Sequence, residues 1–381
     1  MMETVLRAHG FEVVGNAPGC AIRRAPGYSG SSALAVLATG IAQHAFPGAA
    51  FAVSRDGNIV LQGAIGRFTY DEAVENVTLS TVFDLASVTK VVATTAMAML
   101  LNDRGVLNLK QKIVDALPEF ATDDRRREQI TIEMLLAHSS GLPAYERLFE
   151  AANSRQELMK LAFRIPLVAD PGTHVEYSDI GFILLGVILE SLAGEPLDIF
   201  CAREIFAPLR MKSTRFRPAE RVRSQIPPTR NDQDFRHRVI QGEVHDENAS
   251  MMGGVAGHAG AFGNTSDLMS FSAAMLDCGP ALFQKETVAL FTRRQSSPAG
   301  TSRALGWDTP SSPSQSGNHF SPSSFGHLGY TGTSLWIDGE RRIAVALLTN
   351  RTWPDNASKL IKQIRPAFHD AVMDEVLRIT R

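Results

Sequence analysis

Strand signals stand at both ends of this chain with a mostly helical middle between them, and that arrangement limits the folds open to it. Near the N-terminus, the apolar runs Ala49–Val53 and Ile59–Ile65 are joined by Arg55-Asp56-Gly57-Asn58. An Asp-Gly pair between apolar runs is a strong hairpin signal, because both residues tolerate the positive φ angles that a tight hairpin turn needs. Near the C-terminus, Ser334–Ile337 and Arg342–Thr349 repeat the pattern around Asp338-Gly339. The simplest assembly is one antiparallel sheet drawn from both ends, covered by helices and interrupted by a helical insertion. The expected class is therefore α+β, a three-layer α/β/α arrangement with an inserted helical domain. Residues 31–86 and 300–381 would form the sheet domain and 87–299 the insertion, with a polar surface excursion at 218–248. Residues 1–30, broken by Pro18, Gly19, Pro26 and Gly27, read as an irregular lead-in. Helical spacing is expected over Ser32–His44, Ile130–Leu136, Ile180–Leu192, Ser266–Leu276 and Asn356–Ile379.

Chemistry points to Phe83-Asp84-Leu85-Ala86-Ser87-Val88-Thr89-Lys90. It precedes an apolar run, Val91–Leu101, that stops at Asn102-Asp103-Arg104-Gly105. Ser87 should sit in the first turn of a buried helix, with Lys90 one turn on along the same face. A serine hydroxyl is a weak nucleophile and needs a base beside it. A lysine serves as that base only when neutral, a state that burial and the positive end of a helix favour. A lysine in such apolar company needs a partner or a task.

The remaining composition narrows the function. A formal net charge of −2 gives no electrostatic case for nucleic acid or an anionic membrane. Cys20, Cys201 and Cys278 are odd in number and widely spaced, so neither a disulfide framework nor a zinc site follows. There is no HExxH metal motif and no G-x-S-x-G nucleophile elbow. The opening residues lack a signal-peptide pattern and no run is long enough to span a bilayer. As written the chain reads as cytoplasmic, or as periplasmic or secreted if an export signal has been removed. The oligomeric state is open.

Further stretches complete the pattern: Pro47-Gly48, His138-Ser139-Ser140-Gly141-Leu142-Pro143, Pro171-Gly172-Thr173, Tyr177-Ser178-Asp179 and Gly326-His327-Leu328-Gly329-Tyr330-Thr331-Gly332. In this order and spacing the chain resembles the class C β-lactamase and low-molecular-mass penicillin-binding-protein family of serine hydrolases, over nearly its whole length. The resemblance implies the penicillin-recognising fold and an acyl-enzyme mechanism without metal or cofactor. It implies Ser87 as nucleophile, with Lys90 and Tyr177 moving the proton, and the backbone N–H groups of Ser87 and Tyr330 as oxyanion hole. The family's Tyr-x-Asn has become Tyr177-Ser178-Asp179, and Asp179 would either hold Lys90 charged or bind a substrate amine. The family's Lys-Thr-Gly has become His327-Leu328-Gly329. Histidine offers less to a substrate carboxylate than lysine, which weakens the case for efficient β-lactam hydrolysis.

Asp179, His327, Gly329 and His245 are therefore expected at the substrate, the last because Val244-His245-Asp246-Glu247-Asn248 precedes the glycine-rich loop Gly253–Gly260. A pocket-lining role and a solvated capped turn are equally good readings of that stretch. His258 and His138 read as structural. The expected activity is hydrolysis of a small ester, a D-amino-acid amide or peptide, or a β-lactam, with esterase or D-Ala-D-Ala carboxypeptidase-like action favoured. The alternatives are acyl transfer on the same fold, or a penicillin-binding sensor with weak turnover.

Overall fold

The computed structural model describes residues 19–379 and the backbone of the strand Glu12–Val13. Seven strands form one antiparallel sheet: β1 (Glu12–Val13), β2 (Cys20–Arg24), β3 (Gly48–Arg55), β4 (Asn58–Gly66), β5 (Phe325–Leu328), β6 (Ser334–Asp338) and β7 (Ile343–Thr349). Their order in space is β1-β2-β4-β3-β7-β6-β5. β3 and β7, from opposite ends of the chain, pair from Ala49 with Thr349 to Arg55 with Ile343. At the β3–β4 turn Asp56 and Gly57 have φ of 48° and 76°, the doubly left-handed geometry that the Asp-Gly signal requires.

β3 reads Gly-Ala-Ala-Phe-Ala-Val-Ser-Arg, apolar on both faces, because helices cover both faces. The helices that frame the molecule are α1 (Ser31–Ala42), α2 (Ala96–Asp103), α3 (Asp179–Ala193), α4 (Thr265–Met275) and α5 (Ile361–Arg378). Ala49, Phe51 and Val53 pack with Leu37 of α1 and Phe368 of α5. Ala50 and Ala52 point the other way, into a core shared with α4 and the helical segment. The ends of the chain are also joined by Glu375, whose carboxylate accepts the Gly30 N–H at 2.9 Å.

Two local expectations are corrected and a third is given detail. Within the lead-in, β1 and β2 extend the sheet by pairing outward from β4; residues 1–11 and 14–18 lie outside the described set. The β6–β7 connection is not a two-residue turn. It runs over four residues, Gly339 to Arg342, with Arg342 left-handed at φ 56°. Asp338 is drawn into the core instead, where it accepts from Ser321 N at 2.9 Å, Ser321 Oγ at 2.8 Å and Arg341 N at 3.0 Å. The excursion at 218–248 contains a hairpin, Pro228–Asp232 with Arg238–Gln241.

Candidate active site

The segment after Asp84 is not one regular helix. Ala86–Val88 is a single 3-10 turn, Lys90–Thr95 is wound as a π-helix, and only then does α2 begin. Irregular winding of this kind gathers at functional sites. Ala86, immediately before Ser87, has φ of 47°, a strained value for a residue with a Cβ. The strain is held by Asp84, whose Oδ1 accepts the Ala86 N–H at 2.8 Å while Oδ2 accepts the His245 N–H at 2.7 Å. Thr331 and Thr333 secure the same segment, donating to the Asp84 and Leu85 carbonyls at 2.9 Å each. Burial raises the Asp84 carboxyl to about 6, against the pull of these two N–H donors.

Ser87 opens onto a cavity of about 440 Å³. Lys90, within hydrogen-bond reach of Ser87, is fully buried. The Lys90 ammonium donates to Ser87 Oγ at 3.1 Å, to Asp179 Oδ1 at 2.6 Å and to the His258 carbonyl at 3.1 Å. Burial alone would lower the lysine, but Asp179 and then Tyr177 outweigh it and hold the ammonium above its ordinary range. The neutral lysine expected from burial is therefore replaced, in the resting site, by a buried ion pair.

Tyr177 stands beside this pair, its ring centroid 4.9 Å from Lys90 Nζ. Burial raises its phenol; Lys90 pulls the other way without cancelling the rise. The turn that carries it is fixed by Ser178, whose N–H donates to His138 Nδ1 at 3.0 Å and whose Oγ donates to the Pro143 carbonyl at 2.6 Å and accepts the Gly181 N–H, capping α3. His138 lies 4.7 Å from the Tyr177 ring, centroid to centroid.

Ser87, Tyr177, Asp179, His245 and Tyr330 all line the cavity. Neither the Ser87 nor the Tyr330 N–H donates to a partner among the described residues. His327 and Gly329 do not line it. His327 is 3% exposed and lies behind Tyr177, ring centroids 5.9 Å apart. Burial first, then the nearby Lys90 and Arg303, hold its imidazole well below the ordinary histidine range. Its Nδ1 proton goes to the Leu328 carbonyl at 2.7 Å, so Nε2 carries a lone pair and donates nothing. Gly329 is needed for close packing: a side chain there would strike Thr333 Oγ1 and come within 2.6 Å of the Leu85 carbonyl.

Other wall residues escaped the sequence reading: Tyr145, Phe149 and Asn356, which supply aromatic and amide surface, and the charged Arg147 and Arg230. Asp246 and Glu247, from the stretch for which a pocket-lining role was one of two readings, add further charge. Arg230 is tied to Glu247 at 2.6 Å and Asp234 at 2.8 Å. His258, expected to be structural, also borders the cavity, and its Nε2 bonds Asp246 Oδ1 at 2.7 Å. The glycines before it allow its loop onto α3: a Cβ on Gly257 would lie 2.9 Å from Gly186 Cα. The only sequence pointer to these loops was the stretch 244–248 placed ahead of 253–260.

Removing the charge of Asp179 gives a directional test. Asp179 raises both Lys90 and Tyr177, so each loses its proton at lower pH once the carboxylate is gone. Whichever of the two accepts a proton from Ser87, Asp179→Asn should move the rise of kcat/KM with pH downward, by about one unit or more for a contact this close. An unmoved or upward-shifted profile in the folded variant would contradict the ion-pair assignment.

Comparison with known proteins agrees with this architecture. The Beta-lactamase family model matches residues 34–367. An N-acetylmuramyl-L-alanine amidase of Bacillus subtilis (strain 168) is 34% identical over 345 residues, covering 80% of this chain and 77% of that protein. A putative D-alanyl-D-alanine carboxypeptidase of Escherichia coli (strain K12) is 32% identical over 343 residues, covering 80% and 79%. Among solved structures, EstCE1, a hydrolase with promiscuous acyltransferase activity, superimposes with a TM-score of 0.72 at 22% identity, over 89% of this chain and 98% of that one. The chain belongs to the beta-lactamase family of serine hydrolases.

Proposed function

We propose that the protein hydrolyses an amide or ester carbonyl through an acyl-enzyme on Ser87, with peptidoglycan-derived peptides as the substrate class. The observation that carries this reading is the Ser87 hydroxyl bordering the cavity, 3.1 Å from Lys90 Nζ, with the Ser87 and Tyr330 N–H groups unpartnered among the described residues. Because Lys90 and Tyr177 both hold their protons at rest, the pair acts as base only after giving one up, and it titrates as a unit. Ser87 Oγ then bonds to the carbonyl carbon as its proton passes to the pair. The Ser87 and Tyr330 N–H groups hold the oxyanion. The same proton goes to the departing amine or alcohol as the C–N or C–O bond breaks, and water releases the acyl group in a second round.

The substrate class is supported by the amidase and carboxypeptidase names of the relatives and by a cavity of about 440 Å³ beside Ser87. Efficient β-lactam hydrolysis is disfavoured, because the position of the family's carboxylate-binding lysine holds a neutral, sealed histidine. The test is a panel on one purified sample: a muramyl-L-alanine peptide, a D-Ala-D-Ala peptide, nitrophenyl esters of increasing length, and nitrocefin. Peptide or ester turnover with the higher kcat/KM is expected. Nitrocefin hydrolysed faster than every peptide and ester would overturn the reading.

The geometry also revises what a lysine at position 327 would do. From sequence, His327→Lys should shift preference toward β-lactams. In the structure the new ammonium would be buried beside Lys90 and Arg303, away from the cavity. The expected result is a loss of roughly 3–5 kcal/mol of stability, the scale of an uncompensated buried charge, with no gain in nitrocefin turnover. Thermal unfolding and nitrocefin kinetics on the variant check both halves.

A further inference from the structure

The loop Gly329–Thr333 carries Tyr330, and two buried arginines grip it from behind. Arg365 of α5 is 4% exposed. Its Nη2 donates to the Gly329 and Thr333 carbonyl oxygens, each at 3.3 Å, and its Nη1 to Gln315 Oε1 at 3.3 Å. Its Nε has no partner. Arg351 donates through Nε to the Tyr330 carbonyl at 2.6 Å and lies over the Tyr330 ring, 4.3 Å from its centroid. Among the described residues neither guanidinium pairs with a carboxylate; the acceptors that Arg365 bonds are carbonyl and amide oxygens. Burial lowers Arg365 to about 9, helped by its neighbour Arg351, so it is still a cation at neutral pH. Burying a cation without an anion is costly.

The peptide unit links this cation to the cavity. The Gly329 carbonyl and the Tyr330 N–H are the two ends of one trans peptide and point in opposite directions. The Gly329 carbonyl accepts from Arg365 and from the Gly332 N–H at 3.0 Å, so the N–H is turned the other way, and Tyr330 and Ser87 both border the cavity. We propose that Arg365 is a positioning residue for the oxyanion hole: it fixes the Gly329–Tyr330 peptide so that the Tyr330 N–H faces the developing negative charge, and it strengthens that N–H as a donor. A hydrogen bond from a cation to one end of a peptide polarises the other end. A fixed positive charge behind the donor also favours charge that appears only in the transition state. Arg351 holds the following carbonyl and keeps the loop from turning over.

This inference rests on the acyl-enzyme reading above, and the experiment separates the two. The wild type, Arg365→Gln (a donor without charge) and Arg365→Lys (a charge without the planar fork) are compared by kcat and KM on a nitrophenyl ester. They are also compared by Ki for a phenylboronic acid, whose adduct on Ser87 Oγ is tetrahedral and anionic. Arg365→Gln should lower kcat and boronate affinity in parallel, by about 10- to 100-fold, with KM within about two-fold, because the oxyanion exists only in the transition state and its mimic. Arg365→Lys should fall between the two. A purely structural role would lower the melting temperature and the folded yield without separating kcat from KM. If Arg365→Gln fails to fold, Arg365→Lys decides alone: parallel losses of about three-fold or more at constant KM support the proposal. Wild-type kcat and boronate affinity in a folded variant overturn it, as does an equal loss in KM. A wild-type protein that forms no boronate adduct on Ser87 would overturn the acyl-enzyme reading itself.

Discussion

Ser87→Ala should abolish turnover, by at least about 10⁴-fold in kcat, the scale on which removing the nucleophile of a serine hydrolase acts. It should also end covalent labelling by a fluorophosphonate. The fold should survive, because Lys90 keeps Asp179 and the His258 carbonyl as partners when the hydroxyl is gone. The Ala86 turn is likewise held by Asp84, not by the serine side chain. An unfolding midpoint close to wild type with no product formation is the expected pair of results. A folded Ser87→Ala protein that still turns over substrate at the wild-type rate would remove the basis of the assignment.

Lys90→Met and Tyr177→Phe should each lower kcat by at least about 10²-fold, the usual contribution of a positioned acid–base group. Methionine is preferred to alanine at 90 because the side chain is fully buried and its volume should be kept. The double variant should be little worse than the poorer single one, since a proton-carrying pair fails as soon as either member is lost. Losses that multiply would place the two residues in separate steps, with Lys90 acting only through its charge.

The sheet and the pair Ser87 and Lys90 could be read from local signals: Asp56-Gly57 sets a turn, and Ser87 and Lys90 border an apolar run. Tyr177 and Asp179 were named through the family's motif ahead of the apolar helix α3. Other features depend on contacts that sequence spacing does not carry. The direction of the His327 ring is decided by a hydrogen bond to the next residue's carbonyl, so histidine in a motif position was misread as facing the substrate. The π-winding after Thr89 leaves no mark in an almost wholly apolar run, where helical periodicity is hidden. Arg365 looks like one more charge on an amphipathic helix until the loop beneath α5 is seen. The cavity wall is assembled from short polar segments at 145–149, 230, 245–247, 258 and 356, none with a period of its own.

The pairing of β3 with β7 also fixes an order of events during synthesis. β3 and β4 close their hairpin from neighbouring residues, but the other edge of β3 waits for residues 343–349. Until these leave the ribosome, a strand of eight residues, seven of them destined for full burial, stands with an open row of backbone donors and acceptors. Contacts this distant in sequence form late and leave apolar edges exposed meanwhile. Nascent chains stalled before residue 343 are therefore expected to aggregate more readily than the completed chain.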